Sequence, residues 1–365
     1  MQSNFKSIQL FNVIDSKNNN FNLIRMLAAL AVIVSHSYAL ALGNRQLEPI
    51  KNLLGISLGT IAVDIFFITS GLLVTRSLLV RSDLKFFIVS RVLRIFPALF
   101  VSVLFCVILG AYLSSFSLQN YMQDSELLNF IIYNATIILT DYQELPGVFY
   151  NAPYNRSVNG SLWTLPWELR MYVVLIGLGV LSYVLKKAKI TFPHVKIIVQ
   201  AIIVFIALSS TALYFYFHFS ENFHWFYYKF FRFSSAFFIG GGLYVLRKYI
   251  HLNTMWVITV LSLLLFALYM SKTTFFIAYI VSMPYLVLCA AYLPKGKILK
   301  YNNVGDFSYG TYIYAWPIQQ TLAITIVGIS PTNMSMLAGI IVITLSVISW
   351  NLIEKPCMKL KRYFI

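Results

Sequence analysis

LIRMLAALAVIVSHSYALAL, residues 23–42, is the stretch of sequence that decides the fold. It is apolar apart from Arg25, His36 and a few small or amphipathic residues, and about 20 helical residues are enough to cross a hydrocarbon layer. Nine further apolar runs of similar length follow it, at 56–75, 92–114, 164–185, 196–217, 231–246, 253–271, 274–293, 306–328 and 335–353. The sequence therefore predicts an all-α integral membrane protein, a polytopic bundle of about ten transmembrane helices.

The composition of the 365-residue chain excludes the ordinary soluble classes. Hydrophobic residues make up 59% of the chain, and charged residues only 11%, where a soluble domain carries about 25%. A single water-soluble core could not bury so much apolar surface. The same excess excludes intrinsic disorder, and three cysteines in so long a chain exclude a disulfide scaffold. The polar N-terminus lacks the short apolar core of a signal peptide, so none is predicted.

The net charge of +16 is explained by topology. If the N-terminus is cytoplasmic, 21 of the 28 Lys and Arg residues fall in or beside cytoplasmic segments, as the positive-inside rule requires. The loops at 76–91, 186–196 and 295–300 are then cytoplasmic, and both chain termini are too. The basic excess therefore predicts no nucleic-acid partner.

The predicted organisation is one membrane domain with two short ends. Residues 1–22 form a cytoplasmic N-terminal segment, residues 23–356 the membrane domain, and residues 357–365 a basic cytoplasmic tail. The longest non-spanning stretch, 115–163, faces outside, where it covers a site, contacts an extracellular substrate or is a plain solvated loop. Within it, the short apolar segment 127–140 is predicted to be an interfacial or re-entrant helix.

Ionisable residues at membrane depth are functional candidates, because burying them is costly. Arg25 and His36 are 11 residues apart, which is almost three helical turns, so they share one face and lie roughly 16 Å apart along the axis. Each has a structural alternative: an imidazole bonded to a backbone carbonyl, and a guanidinium that reaches the headgroups. Their joint placement favours function. Others at or near span ends are Arg170, Lys229, Arg232, Asp306 and Glu354.

Two arginines and two carboxylates complete the set of candidates. Arg91 and Arg94 share a face at the cytoplasmic mouth and suit phosphates, although anionic lipid is the simpler partner for the pair alone. Glu168 lies one turn into the fourth span, where it could pair with Arg170 or Arg156 or orient an imidazole. Asp64 is either catalytic or paired with an arginine of another span. No zinc site is predicted, because histidine, cysteine and glutamate do not occur at ligand spacing. Three glycines in the sixth span indicate close helix packing: Gly240, Gly241 and Gly242.

Six segments, in chain order, resemble the signatures of membrane acyltransferase family 3. They are FNLIRMLAALAVIVSH (21–36), VDIFFITSG (63–71), SRVLRIFPAL (90–99), NGSLWTLPWELRMY (159–172), FSYGTYIYAWPIQQ (307–320) and IEKP (353–356). The resemblance implies ten spans, a cytoplasmic N-terminus and transfer of an acyl group, usually acetyl, from cytoplasmic acyl-CoA to a hydroxyl. The acceptor it implies is a surface glycan or its lipid-linked precursor. Membrane lipids are the other expected partners, and a homo-oligomer is compatible with the sequence.

The resemblance also assigns roles to residues. His36 matches the catalytic histidine of the family, and Arg25, Arg91 and Arg94 match arginines that serve donor binding and catalysis. Two departures matter: many members carry a histidine where this chain has Ala315, and the additional hydrolase-like domain of some members is missing. A single transfer step is therefore expected.

The function predicted from these features is that of an O-acyltransferase in the bacterial cytoplasmic membrane. His36 would be the base, acting directly on the hydroxyl or through an acyl-histidine, with Glu168 and Asp64 as further catalytic candidates. No metal is expected, and acetyl-CoA is the expected donor. The alternative is a transporter or export component in which these three side chains relay protons. The lack of an inverted repeat disfavours that alternative.

Overall fold

The computed structural model describes residues 7–81, 83–137, 140–154, 156–220 and 224–364. Parts of the predicted segments 1–22, 115–163 and 357–365 therefore lie outside the described residues. The described chain is almost entirely helical, and its one β ladder pairs β1 (Ile8–Gln9) with β2 (His251–Leu252). The helices are α1 (Leu10–Val13), α2 (Phe21–Leu42), α3 (Pro49–Leu54), α4 (Leu58–Arg81), α5 (Leu84–Leu113), α6 (Leu118–Gln123), α7 (Ser125–Thr136), α8 (Leu165–Lys187), α9 (Phe192–Phe219), α10 (Trp225–Val245), α11 (Thr254–Met270), α12 (Lys272–Tyr292), α13 (Ser308–Thr325), α14 (Pro331–Ser349) and α15 (Lys355–Lys359).

Within the described residues, seven helical segments are long and apolar enough to cross a membrane. They are Phe21–Leu42, Leu58–Arg81, Leu84–Leu113, Leu162–Lys187, Phe192–Phe219, Lys272–Tyr292 and Pro331–Phe364. The prediction of an all-α, multi-pass membrane protein is confirmed. The other three predicted spans coincide with α10, α11 and α13, which are helical but shorter or less apolar.

The chain divides into two compact units, and the first is built from residues up to Arg25, Val63–Leu84 and Arg170–Val304. Its N-terminal segment is held in place by polar contacts as well as by the β1–β2 ladder. The Asn20 side chain donates to the carbonyl of Ala291 at 3.3 Å and to that of Pro294 at 3.0 Å. The start of α2 is thereby fixed to the end of α12.

Close approach of α4 and α10 organises the first unit. A methyl group at Gly71 would overlap the carbonyl oxygen of Phe237, and one at Gly240 would overlap that of Ile68. Only glycine allows the two backbones to lie so near each other, so the packing role predicted for Gly240 is confirmed. Hydroxyl pairs join α9 to α10 on the other side, Ser210 with Ser234 and Thr211 with Ser235.

The second unit comprises Met26–Ala62, Lys85–Leu169 and Gly305–Ile365, and α13 is its buried element. Every residue from Ser308 to Gln320 is buried. Polar side chains on this helix have partners inside the protein: Tyr312 shares a hydrogen bond with Thr164 at 2.7 Å, and Gln319 donates to the Ile33 carbonyl at 2.8 Å. A helix covered in this way by protein does not need the hydropathy of a lipid-facing helix.

The predicted outer segment 115–163 is a folded structure with its own core. The hydroxyl of Tyr121 donates to the Val107 carbonyl at 2.9 Å, and Phe130 and Leu145 are fully buried. α7 overlaps the predicted helical segment 127–140, of which residues 138 and 139 lie outside the described residues, and its first turn is capped by the Asp124 side chain. Because these side chains are buried, the segment is not a plain solvated loop.

Candidate active site

The backbone around His36 is fixed by hydrogen bonds from both neighbouring serines. Ser35 Oγ donates to Glu48 at 2.7 Å, and the other carboxylate oxygen of Glu48 accepts the Leu58 N–H at 2.6 Å. Ser37 Oγ donates to the Ile33 carbonyl and accepts from Gln319 at 2.7 Å. These contacts lie within the second unit and hold this turn of α2 in one position.

Within the described residues, the Nδ1 atom of the His36 imidazole makes no hydrogen bond. His36 is only partly buried as a residue, yet its Nδ1 is enclosed and has no hydrogen-bond partner in the described part of the chain. Its ring meets Trp316 edge to face, with centroids 4.7 Å apart. A packed structural histidine would use such an enclosed nitrogen to bond a carbonyl. The unpaired Nδ1 therefore favours the functional interpretation.

Trp316 is itself held rigidly against this ring. Its Nε1 donates to the Ser157 carbonyl at 3.0 Å, and a methyl group at Gly160 would overlap the indole. The ring of Tyr154 also meets the indole edge to face, at a centroid distance of 5.4 Å. The imidazole thus packs against a pair of rings that we call the aromatic wall: Trp316 of α13 and Tyr154 of segment 115–163.

Arg94 is bound by two carboxylates. It donates to Asp306 at 2.6 Å and to Glu354 at 3.1 Å, and the Glu354 side chain is completely buried. Ser308 Oγ donates to Asp306 and Ser349 Oγ to Glu354, so both acids are oriented by hydroxyls. These contacts join the residues of the SRVLR, FSYG and IEKP segments. They satisfy the charge of Arg94 within the protein.

Arg91, one turn earlier in α5, has different surroundings. Its guanidinium lies 5.9 Å from the centre of the Phe87 ring. Its Nε is buried without a hydrogen-bond partner in the described residues, and so is the adjacent Ser90 Oγ. Two buried donors without acceptors, one of them cationic, are suited to binding an anion. The structure thus gives different surroundings to the two arginines that the spacing grouped together.

Asp64 makes the contact that its structural alternative predicts. Its Oδ1 accepts from Nη2 and Nε of Arg232 at 2.7 and 3.1 Å, and its Oδ2 accepts from Tyr279 Oη at 3.1 Å. The two charged side chains are each 6% exposed. All of these groups belong to the first unit. The pair neutralises two charges that would otherwise be buried at membrane depth.

Arg25 and Glu168 lie where the sequence places them. Arg25 is on α2, and its guanidinium lies 5.7 Å from the centre of the Phe66 ring. Glu168 is in the first turn of α8, as Pro166 predicts. Of the arginines suggested as its partners, Arg156 forms an ion pair with Glu144 at 3.6 Å, and Arg170 lies 5.7 Å from the Phe226 ring.

Sequence inspection missed two residues beside the candidate base. Glu48 lies in a polar connection between spans and carries no signal of burial, yet it is 3% exposed and fixes Ser35. Trp316 sits in a segment already quoted for its resemblance, but nothing in its spacing shows that it contacts His36. The one sequence signal for Trp316 is its position next to Ala315, the place at which many members of the resembled family carry a histidine.

Within the described residues, His36 Nδ1 and Arg91 Nε are buried without hydrogen-bond partners, an arrangement suited to a membrane-bound enzyme that transfers a group from an anionic donor. The chain belongs to the acyltransferase 3 family of integral membrane acyltransferases, whose acyltransferase domain matches residues 18–353. It is an acyltransferase, and this membership decides against the transporter alternative.

Two relatives are similar over nearly their whole length. An O-acetyl transferase of Shigella phage Sf6 is 33% identical over 361 residues, covering 93% of this chain and 96% of the relative. Nodulation protein 10 of Rhizobium leguminosarum bv. viciae is 28% identical over 373 residues, covering 94% of each. No solved structure matches the chain.

Proposed function

We propose that this protein transfers an acetyl group from acetyl-CoA to a hydroxyl of a cell-surface polysaccharide or of its lipid-linked precursor. The name of the phage relative supports O-acetyl transfer, and the family supports an acyl donor. The observation that carries the proposal is His36, whose imidazole sits in a membrane-spanning helix with an enclosed, unpaired Nδ1. A side chain placed at that depth without a structural bond is available for chemistry.

His36 is the general base of the proposed reaction. Because Nδ1 is enclosed, we assign the proton-accepting role to Nε2, which takes the proton of the acceptor hydroxyl as its oxygen attacks the thioester carbon. The carbon–sulfur bond then breaks, and the proton is passed to the departing thiolate. The sequence-based alternative, in which the acetyl group first bonds to the imidazole, uses the same atom. Glu168 is the next candidate for the base.

Arg91 is the proposed contact for the phosphates of the donor, with Arg25 as a second cation. Arg91 is supported by its buried Nε and the neighbouring Ser90 hydroxyl, which have no acceptor in the described residues. Arg94, which the sequence groups with it, is assigned to positioning, because Asp306 and Glu354 already satisfy its charge. Asp64 is assigned a structural role through its pairing with Arg232.

The proposed topology has ten spans with both termini in the cytoplasm of a bacterial cell. Three of the ten proposed spans, α10, α11 and α13, are not identified by hydropathy and length alone, so each needs a further physical explanation. α13 is buried by protein, so its polar residues do not face lipid. α10 carries Arg232, whose charge is paired, and α11 has 17 residues, which is at the lower limit for a span.

The experiment that tests this function compares surface glycans from cells with and without the protein by mass spectrometry. We expect an O-acetyl group that is present only with the protein. In parallel, purified protein in detergent should bind acetyl-CoA and release CoA when a glycan acceptor is added. Identical glycans in both strains, together with no CoA release, would contradict the proposal.

A further inference from the structure

A cavity of about 380 Å³ lies beside the aromatic wall of the candidate active site, within the second unit. We call it the loop cavity, and the described residues that line it are Gly43, Gln143, Glu144, Pro153, Tyr154, Arg156 and Ser157. The side chains of Arg156 and Glu144 are 50% and 40% exposed. The loop cavity is therefore accessible to a ligand dissolved in water. Nothing in the mechanism above uses it.

The backbone of the loop cavity is held by hydrogen bonds to α13. Gln320 Nε2 donates to the carbonyls of Tyr154 and Ser157 at 2.7 and 2.8 Å, and Trp316 Nε1 donates to that of Ser157. Arg156 has a left-handed backbone, with φ of 59°, and its N–H donates to the Phe149 carbonyl at 3.1 Å. A wall fixed in this way loses little entropy on binding, which is how a preformed ligand site is built.

The polar groups of the loop cavity suit hydroxyls. Arg156 and Glu144 are 3.6 Å apart, which is too long for a hydrogen bond, so both retain donors and acceptors for a ligand. Gln143 accepts from Ser157 and donates to Asp141, both at 2.8 Å, which leaves part of its amide available. A carboxylate accepts from a hydroxyl and a guanidinium donates to one. Adjacent hydroxyls of a sugar meet both needs.

The charge of the loop cavity selects against ionic sugars. Among the described residues, its lining has one cation and one anion, Arg156 and Glu144, and these already attract each other. An acidic sugar would place a second carboxylate beside Glu144, and a basic sugar would place a second cation beside Arg156. Tyr154 adds an aromatic ring to the lining, and the Arg45 guanidinium lies 4.9 Å from the centre of that ring. The ligand that fits is a neutral sugar.

The loop cavity lies close enough to His36 to hold part of the acceptor. The rings of Tyr154 and His36 both contact Trp316, at 5.4 and 4.7 Å, so their centres are at most about 10 Å apart. One or two linked sugar rings can cover such a distance. We propose that the loop cavity binds one neutral sugar residue of the acceptor glycan and so delivers a neighbouring hydroxyl to His36. This inference rests on the proposed function.

The experiment measures sugar binding directly, without chemistry. Full-length protein in detergent is titrated with neutral methyl hexosides and with methyl glucuronide, and binding is followed by saturation-transfer-difference NMR. We expect the neutral glycosides to bind and the glucuronide to bind more weakly. Replacing Glu144 by Gln, which keeps its shape, should weaken neutral-sugar binding about tenfold, since a hydrogen bond to a charged group is lost. Arg156→Lys should weaken it as well.

The control is Asp15→Asn, which removes one exposed carboxylate charge from the first unit, away from the lining of the loop cavity. It should leave binding unchanged. Equal binding in the wild type and in both cavity variants would overturn the proposal, and so would preference for the glucuronide. Binding that depends on Glu144 in a protein that transfers no acetyl group would support the sugar site and contradict the proposed function instead.

Discussion

The ion pair between Asp64 and Arg232 provides a direct test of whether Asp64 is a structural or a catalytic residue. Two guanidinium nitrogens donate to one carboxylate oxygen, at 2.7 and 3.1 Å, and the Tyr279 hydroxyl donates to the other. Each charged side chain is 6% exposed. Replacing Asp64 by Asn keeps the shape and an oxygen for Tyr279, but it removes the carboxylate charge that faces the buried Arg232 guanidinium.

Removing one partner of a buried ion pair costs about 3–5 kcal/mol of stability. We expect Asp64→Asn to lower the free energy of unfolding by an amount in this range, measured by titration with SDS in mixed micelles. The double variant Asp64→Asn, Arg232→Met removes both charges of this buried pair, so it should be more stable than Asp64→Asn alone.

Activity per folded molecule completes this test. Under the structural interpretation, the folded fraction of Asp64→Asn transfers acetyl groups at nearly the wild-type rate. A variant that unfolds like the wild type but has lost acyl transfer would refute the reasoning. Asp64 would then return to the catalytic residues, as the sequence first suggested.

Three further outcomes are expected. Gly71→Ala should destabilise the protein by about 1–3 kcal/mol, because the methyl group meets the carbonyl of Phe237, whereas Gly177→Ala, with open space around it, should be neutral in the same unfolding titration. Arg91→Ala should raise the apparent KM for acetyl-CoA about tenfold in steady-state kinetics, and an unchanged KM would favour a lipid contact. Cysteines introduced at 186–196 should resist an impermeant thiol reagent in intact cells, and labelling there would contradict the topology.

The helices were predictable because a lipid environment selects long apolar segments. Each predicted span coincides with a helix, although α10 begins at Trp225 rather than at residue 231. Its first turns hold Lys229 among aromatic side chains, so their mean hydropathy is low although they are helical. α13 shows the same effect, since Thr311, Gln319 and Gln320 are polar but buried in protein.

The pairing of charges could not be predicted from the sequence. Each ionisable residue was recognisable by its depth, but the partners of Arg94 lie 212 and 260 residues away, and that of Asp64 lies 168 away. Such pairs are created by tertiary packing, and helical periodicity carries no information about which helices pack together. For the same reason, spacing assigned one role to Arg91 and Arg94, whereas their surroundings differ.

The measurement that tests the central claim most directly is the acetyl-transfer rate of His36→Ala per folded molecule. The folded fraction is determined by thermal unfolding in detergent, and the exposed His194→Ala serves as the matched control. A general base contributes about 10²- to 10⁴-fold, so the account predicts a loss of at least about a hundredfold with wild-type stability. Near-wild-type activity per folded molecule in His36→Ala would contradict it.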